Sequence, residues 1–234
     1  MKIVNIFIIA IGTLGLITQA HAKVGYGISQ TKTDPHLVIG EKDGEPALGI
    51  SSVLNGQLFS ASNLKNWAKL DHNGVYEFET PMSGHHKIDI VQIPDTEVYF
   101  GEWAHGTGEE ANKTHTVFYA GKDVTTNMPK SGKATYSITG INQYDGSNLL
   151  HGKATADFDS QKMDGSFKNN STNIDIHADI NQQDASFSGK AKANGSIDGI
   201  TSGRFFGDGA SVIAGQTHFD SDSRKDTAFG GSKQ

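Results

Sequence analysis

From residue 114 onward, apolar and polar residues alternate in short runs separated by turn-forming residues. Leu150, Gly152, Ala154, Ala156 and Phe158 fall on one side of such a run, and His151, Lys153, Thr155 and Asp157 on the other. Phe187, Gly189, Ala191 and Ala193 alternate in the same way with Ser188, Lys190 and Lys192. A period of two marks a half-buried strand. It predicts strands over 114–120, 133–139, 149–158, 165–168, 173–180, 185–193, 203–206 and 210–219, with turns at 121–123, 144–147, 162–165, 181–184 and 194–196. A row of strands this long leaves two exposed edges unless it closes, so the pattern predicts an eight-stranded antiparallel β-barrel. The inward face is small, with Gly-Lys-Ala recurring at 132–134, 152–154 and 189–191. That suits a narrow barrel filled by its own side chains and places the function elsewhere.

The preceding region has a different texture. Ser60-Ala61-Ser62-Asn63 leads into Leu64, Trp67 and Ala68 at helical spacing, and Asp71-His72-Asn73-Gly74 supplies a stop, which predicts a helix over 63–70. Runs at 75–79, 87–91 and 97–100 are strand-like. The polar, glycine-containing stretch at 106–113 reads as a connector. The expected fold is mainly β: an N-terminal α+β domain over 23–106, followed by the barrel domain over 107–234.

Lys2, an apolar run over 3–17 and the Ala20-His21-Ala22 site have the three-part form of a secretory signal, so residues 1–22 are expected to be a leader and the mature chain to begin at Lys23. An anchor is the competing reading, but about 15 apolar residues fall short of the roughly 20 that a spanning helix needs. No later stretch is apolar enough for a membrane span. The chain has no Cys, which removes disulfides, thiolate chemistry and a lipid-bearing cysteine at the cleavage junction. A net charge of −6, with Arg204 and Arg224 the only arginines, lacks the basic footprint of a nucleic-acid binder.

Histidine is the residue type that changes the picture. There are ten, and imidazole is the commonest ligand for transition metals and haem iron. Gly84-His85-His86-Lys87 sits at a turn before the apolar run 88–91. Neighbours on an extended chain point to opposite sides, so one of the pair is expected to be a ligand and the other its neighbour. His105, beside Trp103, and His36, after Asp34-Pro35, are further candidates, and His72 lies at the predicted helix end. His115, His151, His177 and His218 fall on predicted barrel strands, where an outward polar position is expected. Zinc needs three or four ligands in a tight constellation such as H-E-x-x-H, which is absent. Haem needs one or two axial ligands, an apolar slot and cations for its propionates. Leu58, Phe59, Trp67, Tyr76, Phe78, Ile88, Ile90, Tyr99 and Phe100 could form that slot or plain core, with Lys65, Lys69 or Lys87 at its rim. No nucleophile elbow, paired carboxylates, P-loop or dinucleotide fingerprint supports an enzyme.

The final third carries a family resemblance. Gly203-Arg204-Phe205-Phe206-Gly207 with Ala210, Ala214-Gly215 with Phe219, and Ala228-Phe229-Gly230-Gly231-Ser232-Lys233-Gln234 resemble the closing strands of the barrel in transferrin-binding-protein-B-like surface proteins. Gly101-Glu102-Trp103 and Thr114-His115-Thr116-Val117-Phe118-Tyr119 resemble the entry into it, so the match spans about 99–234. The resemblance implies an eight-stranded barrel behind an N-terminal "handle" in a Gram-negative host. The leader without a lipid-bearing cysteine is similar to the soluble hemophilin branch. That branch implies a secreted, non-enzymatic carrier of haem b, exported through the periplasm with a Slam-type translocator and delivering to a TonB-dependent receptor, with haemoglobin as a possible partner. Mapped onto this sequence it implies iron ligation at His85 and His86, His36 or His105 as a second ligand, and Tyr76, Tyr99 and Lys87 around the cofactor. The alternative is a secreted module of the same fold that holds a host protein and never binds haem.

Overall fold

The computed structural model describes residues 23–81 and 84–234; the leader expected over 1–22 lies outside the described residues. Two sheets and two short helices form the N-terminal half. Its strands are β1 (Gly25–Ile28), β2 (Leu37–Lys42), β3 (Glu45–Ile50), β4 (Phe59–Ser60), β5 (Lys69–Leu70), β6 (Val75–Thr80), β7 (His86–Gln92), β8 (Val98–His105) and β9 (Thr116–Gly121). Helix α1 (Ala61–Trp67) follows β4, and α2 (Glu109–Thr114) precedes β9. A six-stranded sheet runs β1-β9-β8-β7-β6-β5, and a three-stranded sheet, β2-β3-β4, packs over one of its faces.

The C-terminal half is the expected closed antiparallel barrel of eight strands. These are β10 (Lys133–Ile141), β11 (Leu150–Asp157), β12 (Lys162–Lys168), β13 (Asn173–Asn181), β14 (Ser186–Ala193), β15 (Ile197–Phe206), β16 (Val212–His218) and β17 (Thr227–Lys233). Tyr136, Met163, Phe167, Phe187, Phe205 and Phe229 fill its interior. Phe187 lies over Gly203 and Gly215, where an added Cβ would come within 2.1 and 2.9 Å of its ring. The large rings are thus accommodated by glycines on facing strands, and the barrel is a packed core.

Several expectations shift. The strand at 114–120 pairs with β8 and β1 as β9, so it belongs to the first half, and the barrel begins at Lys133 rather than 107. The eighth barrel strand is β17, between β10 and β16. The connector contains α2. Residues 162–165, expected as a turn, open β12, because Gln161 takes the left-handed position (φ 56°) just before them. The helix starts at Ala61 because Ser60 caps it, accepting from the Asn63 amide at 3.3 Å, and it stops at Trp67 because Lys69 and Leu70 pair with β6.

The six-stranded sheet has two working faces. Phe100, Val117 and Tyr119 pack toward the barrel core. Ile88, Ile90, Tyr99, Trp103 and Phe118 pack under the small sheet and α1, with Leu37, Leu48, Ile50 and Leu64. Phe100, expected in the slot, is therefore a barrel contact, since its place on β8 puts it on the opposite side from Tyr99.

Candidate functional site

Between the small sheet, α1 and the end of β6–β7 lies an open cleft of about 330 Å³, walled by Leu48, Gly49, Ile50, Val53, Leu54, Gln57, Phe59, Leu64, Trp67, Phe78, Thr80 and Ile88. Among the described residues of its wall, Gln57 and Thr80 are the only hydrogen-bonding side chains besides the Trp67 indole, so it selects an apolar body. Trp67 and Leu54 form the lips and are 58% and 56% exposed. Leu54 and Asn55 adopt left-handed backbone (φ 47° and 54°), followed by Gly56 at 74°. A leucine there is strained, and the turn holds its side chain out at the cleft mouth. Covering both lips with a ligand is worth on the order of 1 kcal/mol for each side chain.

His86 and His105 lie together at the start of β7 and the end of β8, with His85 on the adjoining turn, while His36 stands separately at the head of β2. His36 heads β2; its amide donates to Ser51 Oγ at 2.9 Å and its carbonyl accepts from the Ser51 amide at 3.0 Å, next to Ile50 of the wall. His85 is exposed, one residue before β7. His86 is fully buried at the start of β7, opposite Thr80 on β6 and His105 on β8. Its ring stacks on Trp103 at 5.9 Å and lies 4.7 Å from the ring of His105. It shares its strand face with Ile88, two residues on. The two neighbours of the turn are therefore split as expected, one outward and one inward.

Other expected contacts are not brought together. Tyr76 faces the cleft side below Phe78, opposite Ile90, which is about 13 Å along the strand from His86. Tyr99 is buried opposite Gln92, farther still. Lys65 covers both rings, its Nζ 4.8 Å from the Tyr76 centroid and 5.7 Å from that of Tyr99. Lys87 points to the other face, 2.9 Å from Asp89 Oδ2 and donating to the Tyr144 carbonyl at 2.9 Å, so it is no rim cation of the cleft. The cation beside a cleft wall is Lys42, which lies 5.7 Å from the Phe59 ring centroid and donates to the Leu58 carbonyl. Nothing in its spacing marked it out.

Beneath Lys87, on the barrel-facing side, a second set of ionisable groups is buried. His115, expected to point outward from a barrel strand, joins the two halves: Nε2 is 2.7 Å from Glu102 Oε2, and Nδ1 is 3.1 Å from the Ser223 carbonyl. Glu102 also accepts from the amides of Gln143 (2.6 Å) and Tyr144 (2.5 Å). Burial opposes ionisation of Glu102, yet His115 and these amides overcome it and hold the carboxyl below its usual range. Burial likewise works against the His115 cation, and Glu102 outweighs it, raising that pKa. Asp89 is pushed up to about 7 by burial and the nearby Glu102 charge, against the pull of Lys87. His218, also expected outward, is partly covered and sits 2.8 Å from Asp226 and 3.0 Å from Asp220. His72, His151 and His177 are exposed.

A closed barrel joined to a small handle recurs in solved structures. The apo crystal structure of the haemoglobin receptor HpuA from Kingella denitrificans is similar with a TM-score of 0.63 at 18% identity, covering 93% of this chain and 88% of that chain. HpuA in complex with human haemoglobin gives 0.62 at 17%, covering 93% and 89%. A transferrin binding protein B variant from Haemophilus parasuis gives 0.56 at 17%, covering 90% of this chain and 45% of that one. These likenesses establish the fold. Residues 11–116 match the family model for the HphA N-terminal heme-binding domain, and residues 126–233 match that for the HphA C-terminal domain. The chain belongs to the hemophilin family.

Proposed function

We propose that this chain is a secreted hemophore: it takes haem b into the handle cleft, coordinates the iron through histidine, and passes the cofactor to a TonB-dependent outer-membrane receptor. The observation that supports the reading is an almost wholly apolar cleft, walled in part by Ile88 and Thr80, next to the start of β7, where His86 and His105 are in ring contact and His85 stands on the adjoining turn. The apolar slot would take the macrocycle, an imidazole nitrogen would take the iron, and Lys42, beside the Phe59 wall, would be a cation available to a propionate. When bound, the haem supplies an iron centre as cargo; the chain's own residues bind it, orient it and keep water from it. His85, exposed on its turn, and His36, on the Ser51 bracket, are the ligands reachable without unpacking the core; His86 supports the turn from within.

The leader over 1–22 fits export to the periplasm, with a Slam-type translocator carrying the protein across the outer membrane. Haemoglobin is the proposed haem source, in keeping with the shared fold of the HpuA complex with human haemoglobin. Titration of the purified protein with hemin should give a shifted Soret band that saturates at one equivalent. Replacing His85, His86 or His36 by Ala should weaken binding, tenfold or more for a true ligand. Full affinity in all three would discard the ligand assignment. An unchanged hemin spectrum alongside capture of haemoglobin would replace the hemophore reading with that of a host-protein-binding module.

A further inference from the structure

One loop of the barrel reaches across to the handle. Residues 142–149 join β10 to β11 and are fixed from the barrel side. The Asn142 side chain donates to the Arg224 and Asp226 carbonyls at 2.7 and 2.8 Å, Asn148 donates to the Gln143 carbonyl at 3.0 Å, and Asn169 donates to the Asn148 carbonyl at 2.6 Å. Within this loop, buried Tyr144 turns every polar atom toward the handle. Its amide donates to Glu102 Oε1 at 2.5 Å, and its carbonyl accepts from Lys87 at 2.9 Å. Its hydroxyl donates to Asp71 Oδ2 and accepts from Asn73 Nδ2 at 2.8 Å. Asn73 also donates to the Gly146 carbonyl at 2.8 Å, a second tie between the same turn and the loop.

Asp71 and Asn73 lie in the turn between β5 and β6, and Asp71 stands four residues beyond Trp67, a lip of the cleft. Upstream of that lip, α1 is held by buried Leu64 and by Lys65, which donates to Gln92 Oε1. Downstream, β5 is two exposed residues, paired with β6 at Lys69–Glu77 and Leu70–Tyr76. So short a strand is weakly held by its own pairing. The next hold is Asp71: Oδ1 accepts from the amides of Asn73 and Val75 at 2.9 and 2.8 Å, and Oδ2 takes the Tyr144 hydroxyl. One carboxylate thus ties the turn to itself with one oxygen and to the barrel with the other.

We propose that Tyr144 is a positioning residue for the handle cleft: by clamping the 71–74 turn it sets the end of α1 and the Trp67 lip, so that the barrel governs how readily the cleft opens. This rests on the haem reading above only for what the cleft carries, and its test separates the two.

Tyr144→Phe removes the hydroxyl and keeps the ring beside Lys87, and Asn73→Ala, at an exposed residue, cuts the clamp from the handle side. The chain has two tryptophans, Trp67 58% exposed and Trp103 fully buried, so iodide-quenchable emission reports on Trp67. In the haem-free protein both variants should lower the anisotropy of that emission. Both should also speed amide exchange across residues 68–75 about fivefold, the equivalent of one lost hydrogen bond, and leave exchange in the barrel strands unchanged. Wild-type anisotropy and exchange in both variants overturn the positioning, whatever happens with haem. With hemin bound, Tyr144→Phe should speed its transfer to excess apomyoglobin by about the same factor. A loosened turn with unchanged transfer overturns the barrel's control of the cleft. A wild-type protein that binds no hemin sinks the haem reading, and the Trp67 anisotropy and amide exchange still decide the positioning by Tyr144.

Discussion

Glu102 is the side chain on which the junction of handle and barrel most depends. It is 4% exposed, and its two oxygens receive three donors: the Tyr144 amide on Oε1, and the Gln143 amide and His115 Nε2 on Oε2. Glu102→Ala leaves all three facing a void, one of them an imidazole whose cationic form Glu102 had favoured. Breaking a buried ion pair by removing one partner costs about 3–5 kcal/mol. Much of that penalty is the unpaired imidazole, and with the two stranded amides about 4 kcal/mol is the expected total. At roughly 3 °C per kcal/mol for a chain of this size, the melting temperature should fall by about 12 °C in differential scanning calorimetry. Glu102→Gln keeps one acceptor and should lose about half as much. The double variant with His115→Ala should lose less than the sum of the two singles, with a coupling of at least about 1 kcal/mol. A Glu102→Ala protein melting within about 3 °C of wild type would show that the network adds nothing net, and the reasoning would fail.

The same buried groups set the pH dependence. Asp89, raised to about 7, binds a proton in the folded state that the unfolded chain has released above about 4, so stability falls as pH rises through that window. The raised His115 pKa acts in the same direction: its contribution is complete below the unfolded value of 6.5 and is lost as pH rises through the folded one. Glu102 acts oppositely, losing its contribution only as pH falls below the ordinary carboxylate range. The melting temperature should therefore decline from pH 6 to pH 8, and Asp89→Asn should flatten that decline; a rising profile contradicts the assignment. Gly231→Ala should destabilise the barrel by about 3 kcal/mol or more in urea titration, because its Cβ would lie 1.7 Å from the Ser137 carbonyl oxygen on the partner strand. A shift in urea midpoint no larger than that of an exposed alanine substitution would refute the closeness of the seam.

The barrel was legible because a filled barrel imposes strict alternation, and Leu150 to Phe158 or Phe187 to Ala193 show it without interruption. Alternation does not say which sheet a strand joins, which is why β9 was assigned to the wrong half. In β17 the alternation is masked by Gly230 and Gly231, small because Phe100 of the handle and Ser137 of the facing strand occupy the space a Cβ would take. The small sheet that roofs the cleft carries one local signal, the Asp43-Gly44 hairpin turn, whose residues both have positive φ (55° and 79°), but the runs Leu37-Val38-Ile39 and Ala47-Leu48-Gly49-Ile50 beside it lack the alternation of a half-buried strand. Histidine as the informative residue type was visible in the sequence. The pairing of His86 with His105, the reversal of Lys87 and the burial of His115 depend on strand register and on contacts between distant segments, which no local pattern encodes.

β17 is the last strand of the barrel and the clasp between its first strand and its penultimate one. Thr139 finds Gly230 about 90 residues away in the chain, a separation that makes such a pairing slow to form. Until that segment arrives, Phe167 and Phe187 lack the ring of Phe229 they pack against, and β10 and β16 offer open edges to any passing strand. An unfolded chain is thus sticky until β17 has closed the seam.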